Sequence, residues 1–523
     1  MISNFSNNKR IAKNTLILYV RMLFMMLVAL YTSRVILNVL GVEDFGIYNV
    51  VGGVVTMFGI YNVVGGLVSM FALVSGAISI SISRFITFEL GRNNQKELNI
   101  VFSSAIIIQI VICLLFILLA ETLGLWFLNT KMSFPEGRMC ATNVIFQFSV
   151  ATFCVNLISI PYNAAIIAHE KMAAFAYISI FETLAKLIIA FAIPYILYDK
   201  LIIYGGLLLL VAIIVRLVYG IYCKYHFEEC RFRFLFDKTV FYNMFTYAGW
   251  TYIGASSALL RDTGGNILIN LFYGPVANAA NGIGTQVQQA VNQFVTNFMT
   301  ALNPQIIKSY AAANYDYMKF LVLNASRISY YMMLFFSLPI LFNTHYILVL
   351  WLEQVPQYCV EFVRLALLFV MSESLSTPLI TSASASGKIK KYQLLVGGIQ
   401  SFNFPLSLLC LYMGMPPYVT FVVAICISQL CLAGRLYILR NMMDFSARQF
   451  IHSVYSNIIK VTIIALILPI GVQYYIDESW GGFIISCIIC FISVFISIVY
   501  VGCNRQERAF IMTKAESFIH NFF

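Results

Sequence analysis

Long runs of apolar residues dominate the chain, and short polar or Pro/Gly-rich breaks separate them. A helix needs about 20 apolar residues to cross the ~30 Å hydrocarbon core of a bilayer. Division at the breaks predicts about fourteen such helices, at 14–40, 45–83, 98–128, 140–168, 173–197, 201–223, 240–272, 276–307, 320–343, 358–386, 392–413, 417–439, 455–476 and 480–502. The pattern therefore predicts an all-α integral membrane protein.

Composition and charge support this interpretation. Of the 523 residues, 60% are hydrophobic and only 11% are charged, whereas a soluble domain has about 25% charged residues. If both termini are cytoplasmic, 24 of the 33 Lys and Arg lie on the cytoplasmic side, four lie on the opposite side and five lie within the spans. Cytoplasmic loops of membrane proteins carry such an excess of Lys and Arg. The net charge of +11 is therefore interpreted as topology, and no nucleic-acid partner is expected.

A weak internal repeat predicts two pseudo-symmetric lobes. The turn at 41–46 resembles the turn at 274–279, and 84–98 aligns with 304–318. Structural repeats of this kind are common in transporters. We expect an N-terminal lobe with helices 1–6, a C-terminal lobe with helices 7–12, and a C-terminal segment with helices 13 and 14 and a cytoplasmic tail. Their predicted bounds are 1–238, 239–452 and 453–523.

A tandem copy interrupts the first lobe. Residues 46–58, GIYNVVGGVVTMF, are followed directly by 59–71, GIYNVVGGLVSMF. With both copies, the predicted helix 45–83 would be about 58 Å long at 1.5 Å per residue, nearly twice the hydrocarbon thickness. We expect the extra copy to protrude or to break at a glycine pair. Three alternatives stay open for the extra copy: it is required for activity, it has no effect on activity, or it inactivates the protein.

Ionisable residues inside the predicted spans are few. They cost about 2.5–3.5 kcal/mol each at the bilayer centre, so those that are present commonly face a cavity or a partner. The five cations and three anions are Arg21, Arg34, Lys186, Arg216, Arg261, Glu182, Asp262 and Glu373. This surplus of cations indicates a cavity that receives a negatively charged ligand.

Arg21 and Arg261 are the candidates for binding that ligand. Each lies on the first helix of its lobe, and under the repeat they are about two turns apart on nearly the same face. Two alternatives stay open: Arg21 reaches the cytoplasmic interface, or Arg261 pairs with Asp262.

The remaining charges in the spans have other interpretations. Glu182 and Lys186 are spaced i, i+4, which favours a salt bridge within one helix. Arg216 is expected at the membrane interface. Glu373 has no partner nearby in sequence, so it is a candidate either for proton or cation coupling or for a buried, hydrogen-bonded carboxyl group.

The eighth predicted helix has an amide-rich face. Gln286, Gln289, Gln293 and Asn297 fall within one arc, and Val287, Val291 and Phe298 lie opposite. Amides donate and accept hydrogen bonds and therefore suit sugar hydroxyls. Hydrogen bonding between helices is the alternative.

No catalytic, cofactor or metal motif is evident. The chain lacks a Walker loop and the G-x-S-x-G and H-E-x-x-H motifs. Cys487 and Cys490 form a C-x-x-C within an apolar helix, where we expect packing rather than redox or metal chemistry. We therefore expect no enzyme activity, no cofactor and no metal. A scaffold or a glycan polymerase is the alternative from a different class, although the chain lacks the large outer loop expected of a polymerase.

Three segments resemble a known family: 34–49 (RVILNVLGVEDFGIYN), 160–169 (IPYNAAIIAH) and 249–287. They are similar to Wzx-type bacterial polysaccharide flippases of the multidrug/oligosaccharidyl-lipid/polysaccharide exporter superfamily. The resemblance implies two six-helix lobes that alternate access around a central cavity. The tandem copy departs from the family pattern.

The resemblance implies a bacterial inner-membrane protein that moves an undecaprenyl-diphosphate-linked oligosaccharide to the periplasmic leaflet for O-antigen or capsule synthesis. Its expected partners are the lipid-linked oligosaccharide and membrane lipids, with a polysaccharide polymerase and glycosyltransferases as further candidates. A lipid II flippase and a cation-coupled multidrug exporter are the alternatives within the superfamily.

Overall fold

The structure is a computed structural model. It describes residues 10–28, 31–32, 35, 65–130, 137–196, 198–231, 236–352, 354–473, 479–505 and 507–509. The described residues form helices and turns and contain no strand. The predicted all-α class is therefore confirmed.

The first six helices follow the predicted order. We label them α1 (Arg10–Val28), α2 (Gly65–Gly91), α3 (Gln95–Thr130), α4 (Met139–Ala168), α5 (Met172–Tyr195) and α6 (Lys200–His226). Polar caps fix several of their starts: the side chain of Asn94 accepts from the amide of Glu97 at the start of α3, and Asp199 accepts from two amides of α6. Such caps satisfy amide groups that have no partner within the helix.

The next helical stretch, Lys238–Ala311, has a single non-helical residue, Gly274, with φ of 76°. Because glycine adopts positive φ without a Cβ clash, the chain bends there. We call the two arms α7 (238–273) and α8 (275–311). They correspond to the seventh and eighth predicted spans.

The remaining helices complete the set. They are α9 (Tyr315–Phe342), α10 (Cys359–Ser374, continued by Thr377–Ala385), α11 (Lys390–Tyr412), α12 (Val419–Met443), α13 (Ala447–Val472) and α14 (Trp480–Gly502). A short helix, Thr344–Leu352, follows α9. Within the described residues, ten helices are individually long and apolar enough to span a membrane, and fourteen spans fit the full set of helices. The chain is a multi-pass membrane protein.

The chain divides into two compact units. The first is Met1–Tyr252 with Thr300–Ala312, and the second is Ile253–Met299 with Ala313–Phe523. The last turns of α8 thus belong to the first unit. The predicted bounds at 238/239 and 452/453 stay predictions. Most of the tandem copy and the motif at 34–49 lie outside the described residues.

Each unit has its own packed interior. In the first unit, Phe102, Phe116 and Phe146 are fully buried among aliphatic side chains of α2 to α6. In the second unit, Phe362 of α10 and Phe445 and Phe450, on either side of the start of α13, are buried. Serine side chains deep in these interiors bond to backbone carbonyls, as Ser326 does to Leu375 at 3.1 Å, which satisfies their hydroxyl groups away from water.

Candidate functional site

Arg21 is the predicted cation of the first unit. Its guanidinium carbon lies 4.3 Å from the centre of the Phe175 ring in α5. Its Nε is buried and has no hydrogen-bond partner among the described residues. Glu182 and Tyr219 are close enough to stabilise its charge electrostatically. The guanidinium group thus remains inside the helix bundle with donor capacity left over for an anion.

Glu182 and Lys186 form the ion pair that their spacing favours. Lys186 Nζ lies 2.6 Å from Glu182 Oε1, and both side chains are more than a third exposed. The pair leaves no net charge at these two positions of α5, which lowers the cost of placing them within a membrane span.

Arg261, the predicted cation of the second unit, is held by its neighbour. Its Nε and Nη2 donate to the two carboxylate oxygens of Asp262 at 2.7 and 3.1 Å. Its guanidinium carbon lies 4.8 Å from the centre of the Phe369 ring. The open alternative of an Arg261–Asp262 pair is thus present in the structure. Asp262 is 63% exposed, so an incoming anion can compete with it.

Glu373 has a partner distant in sequence. Arg435 of α12, which is 3% exposed, places its Nη1 3.9 Å from Glu373 Oε1. The same guanidinium donates to Ser376 Oγ at 2.7 Å and to the Tyr392 hydroxyl at 3.2 Å. These contacts join α10, α11 and α12 around the buried Arg435 side chain.

The amide face of α8 is divided between exposed and buried positions. Gln286, Gln289 and Gln293 are exposed, whereas Asn297 is buried and its Nδ2 donates to the Gln293 carbonyl at 2.9 Å. That Gln286, Gln289 and Gln293 line a cavity stays a prediction. The Asn297 side chain instead bonds within its own helix.

The charge count placed three arginines in cytoplasmic segments, but their side chains are buried: Arg84, Arg327 and Arg435. The Arg84 guanidinium lies 4.3 Å from the centre of the Phe88 ring. Arg435 had a signal in the sequence, because apolar residues surround it on both sides along α12. Arg84 lies near the end of α2 and gave no such signal, and Arg327 lies near the middle of α9 within the predicted span 320–343.

Sequence reasoning also missed Glu170. Its carboxylate is 2% exposed and receives Arg10 Nε at 2.9 Å, Lys308 Nζ at 2.7 Å and Gln305 Nε2 at 2.6 Å. Glu170 lies in the turn between α4 and α5 with φ of 60°. It therefore ties α1 and the end of α8 to that turn within the first unit.

Arg21 belongs to one compact unit and Arg261 to the other. Their predicted convergence on one ligand stays a prediction. Among the described residues, no group of three His, Cys, Asp or Glu side chains forms a possible metal site.

The apolar helices and their arrangement define a multi-pass membrane protein with the fold of MATE transporters. One similar structure is the outward-facing conformation of a multidrug resistance MATE family transporter of the MOP superfamily, with a TM-score of 0.68, 10% identity and coverage of 84% of this chain and 97% of that chain. Another is a mutant of the Vibrio cholerae MATE transporter VcmN, with a TM-score of 0.66, 16% identity and coverage of 84% and 99%.

The chain belongs to the polysaccharide biosynthesis protein family, whose profile matches residues 11–310. No curated protein matches it significantly. Family and fold together confirm the resemblance to Wzx-type flippases of the exporter superfamily.

Proposed function

We propose that this protein is a flippase that moves an undecaprenyl-diphosphate-linked oligosaccharide from the cytoplasmic to the periplasmic leaflet of the bacterial inner membrane. The observation that carries the proposal is Arg21, a cation inside an apolar helix whose Nε is buried without a described hydrogen-bond partner. The family supports a role in polysaccharide synthesis, and a diphosphate is the anion that such a substrate brings into the membrane.

Two arginines are assigned to the diphosphate. Guanidinium groups bind phosphate oxygens bidentately. In this proposal Arg21 offers its Nε, and Arg261 exchanges Asp262 for the substrate. Because of this exchange, the Arg261 charge is paired both without and with bound substrate, which avoids the free-energy cost of an isolated ion.

The glycan is assigned to the amide face of α8. Gln286, Gln289 and Gln293 are exposed along one side of the helix. Amides are neutral and both donate and accept, so they can bind successive hydroxyls without holding the glycan as tightly as charges would.

Coupling is assigned to the Glu373–Arg435 pair. Glu373 is 26% exposed and its partner is almost fully buried. Protonation of Glu373 would leave Arg435 with only its neutral partners, Ser376 and Tyr392. The pair therefore links the charge of one carboxylate to the packing of three helices.

The test replaces Arg21 and Arg261 with Gln, singly and together. Loss of a charge-assisted hydrogen bond costs about 1.5–3 kcal/mol, which corresponds to a loss of export of roughly tenfold or more for each variant. The measurements are surface polysaccharide, accumulated lipid-linked oligosaccharide and the amount of inserted protein. Arg440→Gln, at an exposed position near the end of α12, is the matched control. Normal surface polysaccharide in the inserted double variant would overturn the proposal.

A lipid II flippase is the second candidate, because the fourteen helices fit it as well as they fit a polysaccharide flippase. Rescue of a strain depleted of its peptidoglycan flippase would assign the protein to that substrate. Failure to rescue, together with loss of surface polysaccharide on gene deletion, supports the first candidate.

A further inference from the structure

A cleft of about 380 Å³ lies between three helices of the second unit. Asn324 and Arg327 line it from the first half of α9, His452 and Lys460 from the N-terminal part and the middle of α13, and Asn504 from the residues just after α14. None of its lining residues belongs to the proposed substrate site.

Two residues that line the cleft, Arg327 and Asn457, share one backbone oxygen as acceptor. The carbonyl of Gly502 accepts from Arg327 Nη1 at 3.2 Å, from the Tyr331 hydroxyl at 3.2 Å and from Asn457 Nδ2 at 3.3 Å. A Cβ at position 502 would lie 2.7 Å from the Tyr331 hydroxyl oxygen, so this close approach requires glycine. The three helices are therefore fixed to one another at the cleft.

The charges in the cleft favour an anion. Arg327 is engaged by Glu507 and Asn324, whereas the side chains of Lys460 and His452 are exposed. Within the described lining of the cleft no side chain carries a carboxylate, and the other polar groups are amides and one hydroxyl. Three further cations stand one residue away from lining positions: Lys319, Arg448 and Arg505.

The position of the cleft indicates where its anion comes from. Gln449 and Asn504 lie close to helix ends, whereas Arg327 and Lys460 lie further along α9 and α13. The cleft therefore extends inward from the membrane boundary, where phospholipid phosphates are concentrated. Apolar side chains line the same cleft beside the polar ones, and among them Phe320 is 51% exposed. A ligand with both a phosphate and an acyl chain matches this mixed lining better than a free phosphate does.

We propose that this cleft binds the phosphate-bearing headgroup of an anionic membrane phospholipid. Lys460 pairs with the phosphate, because an ammonium group binds phosphate oxygens as a compact charge. The amides of Gln449 and Asn504 and the hydroxyl of Ser453 contact the polar headgroup. Phe320, Leu323 and Val501 lie against the start of the acyl chain.

The test titrates the purified full-length protein in detergent with phosphatidylglycerol or phosphatidylcholine and counts bound lipid by native mass spectrometry. A basic residue near the membrane surface contributes about 1 kcal/mol to binding anionic lipid, so Lys460→Gln is expected to bind phosphatidylglycerol about fivefold more weakly. Lys460→Arg keeps the charge and is expected to retain binding. Lys388→Gln, which removes an exposed lysine elsewhere in the second unit, is the matched control.

Three outcomes would overturn the proposal. The first is equal phosphatidylglycerol affinity in the wild type and Lys460→Gln, and the second is equal affinity of the wild type for the two lipids. The third is that inorganic phosphate binds as tightly as phosphatidylglycerol and that Lys460→Gln weakens the binding of both equally. This result would identify the ligand of the cleft as a soluble anion. An unchanged unfolding temperature of Lys460→Gln without added lipid shows that weaker binding does not reflect misfolding.

Discussion

The ammonium of Lys308 lies 2.7 Å from Oε1 of Glu170, joining the last turn of α8 to the turn between α4 and α5. Arg10 and Gln305 contact the other carboxylate oxygen, and Asn14 donates to the backbone carbonyl of the same residue at 3.3 Å. One acidic residue therefore holds together three parts of the chain that are far apart in sequence.

Replacement of Glu170 by Gln is expected to lower the free energy of unfolding by about 2 kcal/mol, because buried charge-assisted hydrogen bonds are lost. Water still reaches Arg10 and Lys308, which limits the cost. Thermal unfolding in detergent measures the change. Glu228→Gln, at an exposed position just after α6, is the control and is expected to change the free energy of unfolding by less than about 0.5 kcal/mol. Equal shifts for the two variants would contradict the role of Glu170.

Two glycines of α2 are expected to respond oppositely to alanine. A Cβ on Gly91 would lie 2.8 Å from the Cα of Lys308, whereas a Cβ on Gly76 meets no atom within 4 Å. Gly91→Ala is therefore expected to destabilise the protein by about 1–3 kcal/mol through overpacking. Gly76→Ala is expected to be neutral or to stabilise it by up to about 1 kcal/mol. Unfolding temperatures of both variants test the contact between α2 and the end of α8.

Acid is expected to weaken the first unit through Glu229. Burial acts to raise the pKa of this carboxyl, but hydrogen bonds from His169, from its own backbone and from Gln95 lower it below the ordinary value of 4.5. A carboxyl whose pKa is depressed by folding adds stability above its unfolded pKa and loses it as the pH falls through its folded pKa.

Glu229→Gln is accordingly expected to be less stable than the wild type at about pH 7. The difference should shrink as the pH falls below 4.5. Unfolding temperatures across this range provide the measurement. Glu228→Gln changes the exposed neighbour, and its difference in unfolding temperature from the wild type should not shrink at low pH. If the difference between Glu229→Gln and the wild type stays constant with pH, this account is wrong.

Arg435→Lys tests the charge pair of the second unit. Lysine keeps the positive charge near Glu373 but lacks the planar fork that reaches both Tyr392 and Ser376. We expect a loss of about 1.5–3 kcal/mol in the free energy of unfolding. Arg440→Lys, at an exposed position of the same helix, should change little. A comparably small effect at Arg435 would mean that the positive charge alone suffices there.

The spans were predictable because a bilayer imposes a minimum length on every apolar helix, and this length is visible in the sequence. The Glu182–Lys186 pair was predictable for a similar reason, since both residues lie on one helix. Glu373 and Arg435 belong to different helices, and their pairing depends on how α10 packs against α12. The burial of Arg84 was not predictable, because counting loop charges cannot detect a guanidinium group stacked on an aromatic ring.

Most residues of the candidate site could be named from the sequence, but most of their contacts could not be predicted. The sequence indicated Arg21, Arg261 and the glutamines of α8, and the structure adds that Arg261 is occupied by Asp262. Glu170 gave no signal, because its three partners are brought to it only by folding.

The helix α9 carries polar side chains whose partners come last in the chain. Tyr330 bonds to Thr462 and Tyr331 to Asn457, both at 3.0 Å, and Asn343 bonds to Ser486 at 3.0 Å. During synthesis, α9 and Asn343 are made more than a hundred residues before these partners, so the three bonds form only after α13 and α14 have been made. The last two helices therefore complete the hydrogen bonding of a region made much earlier, and a chain that stops before them would leave Tyr330, Tyr331 and Asn343 without these partners.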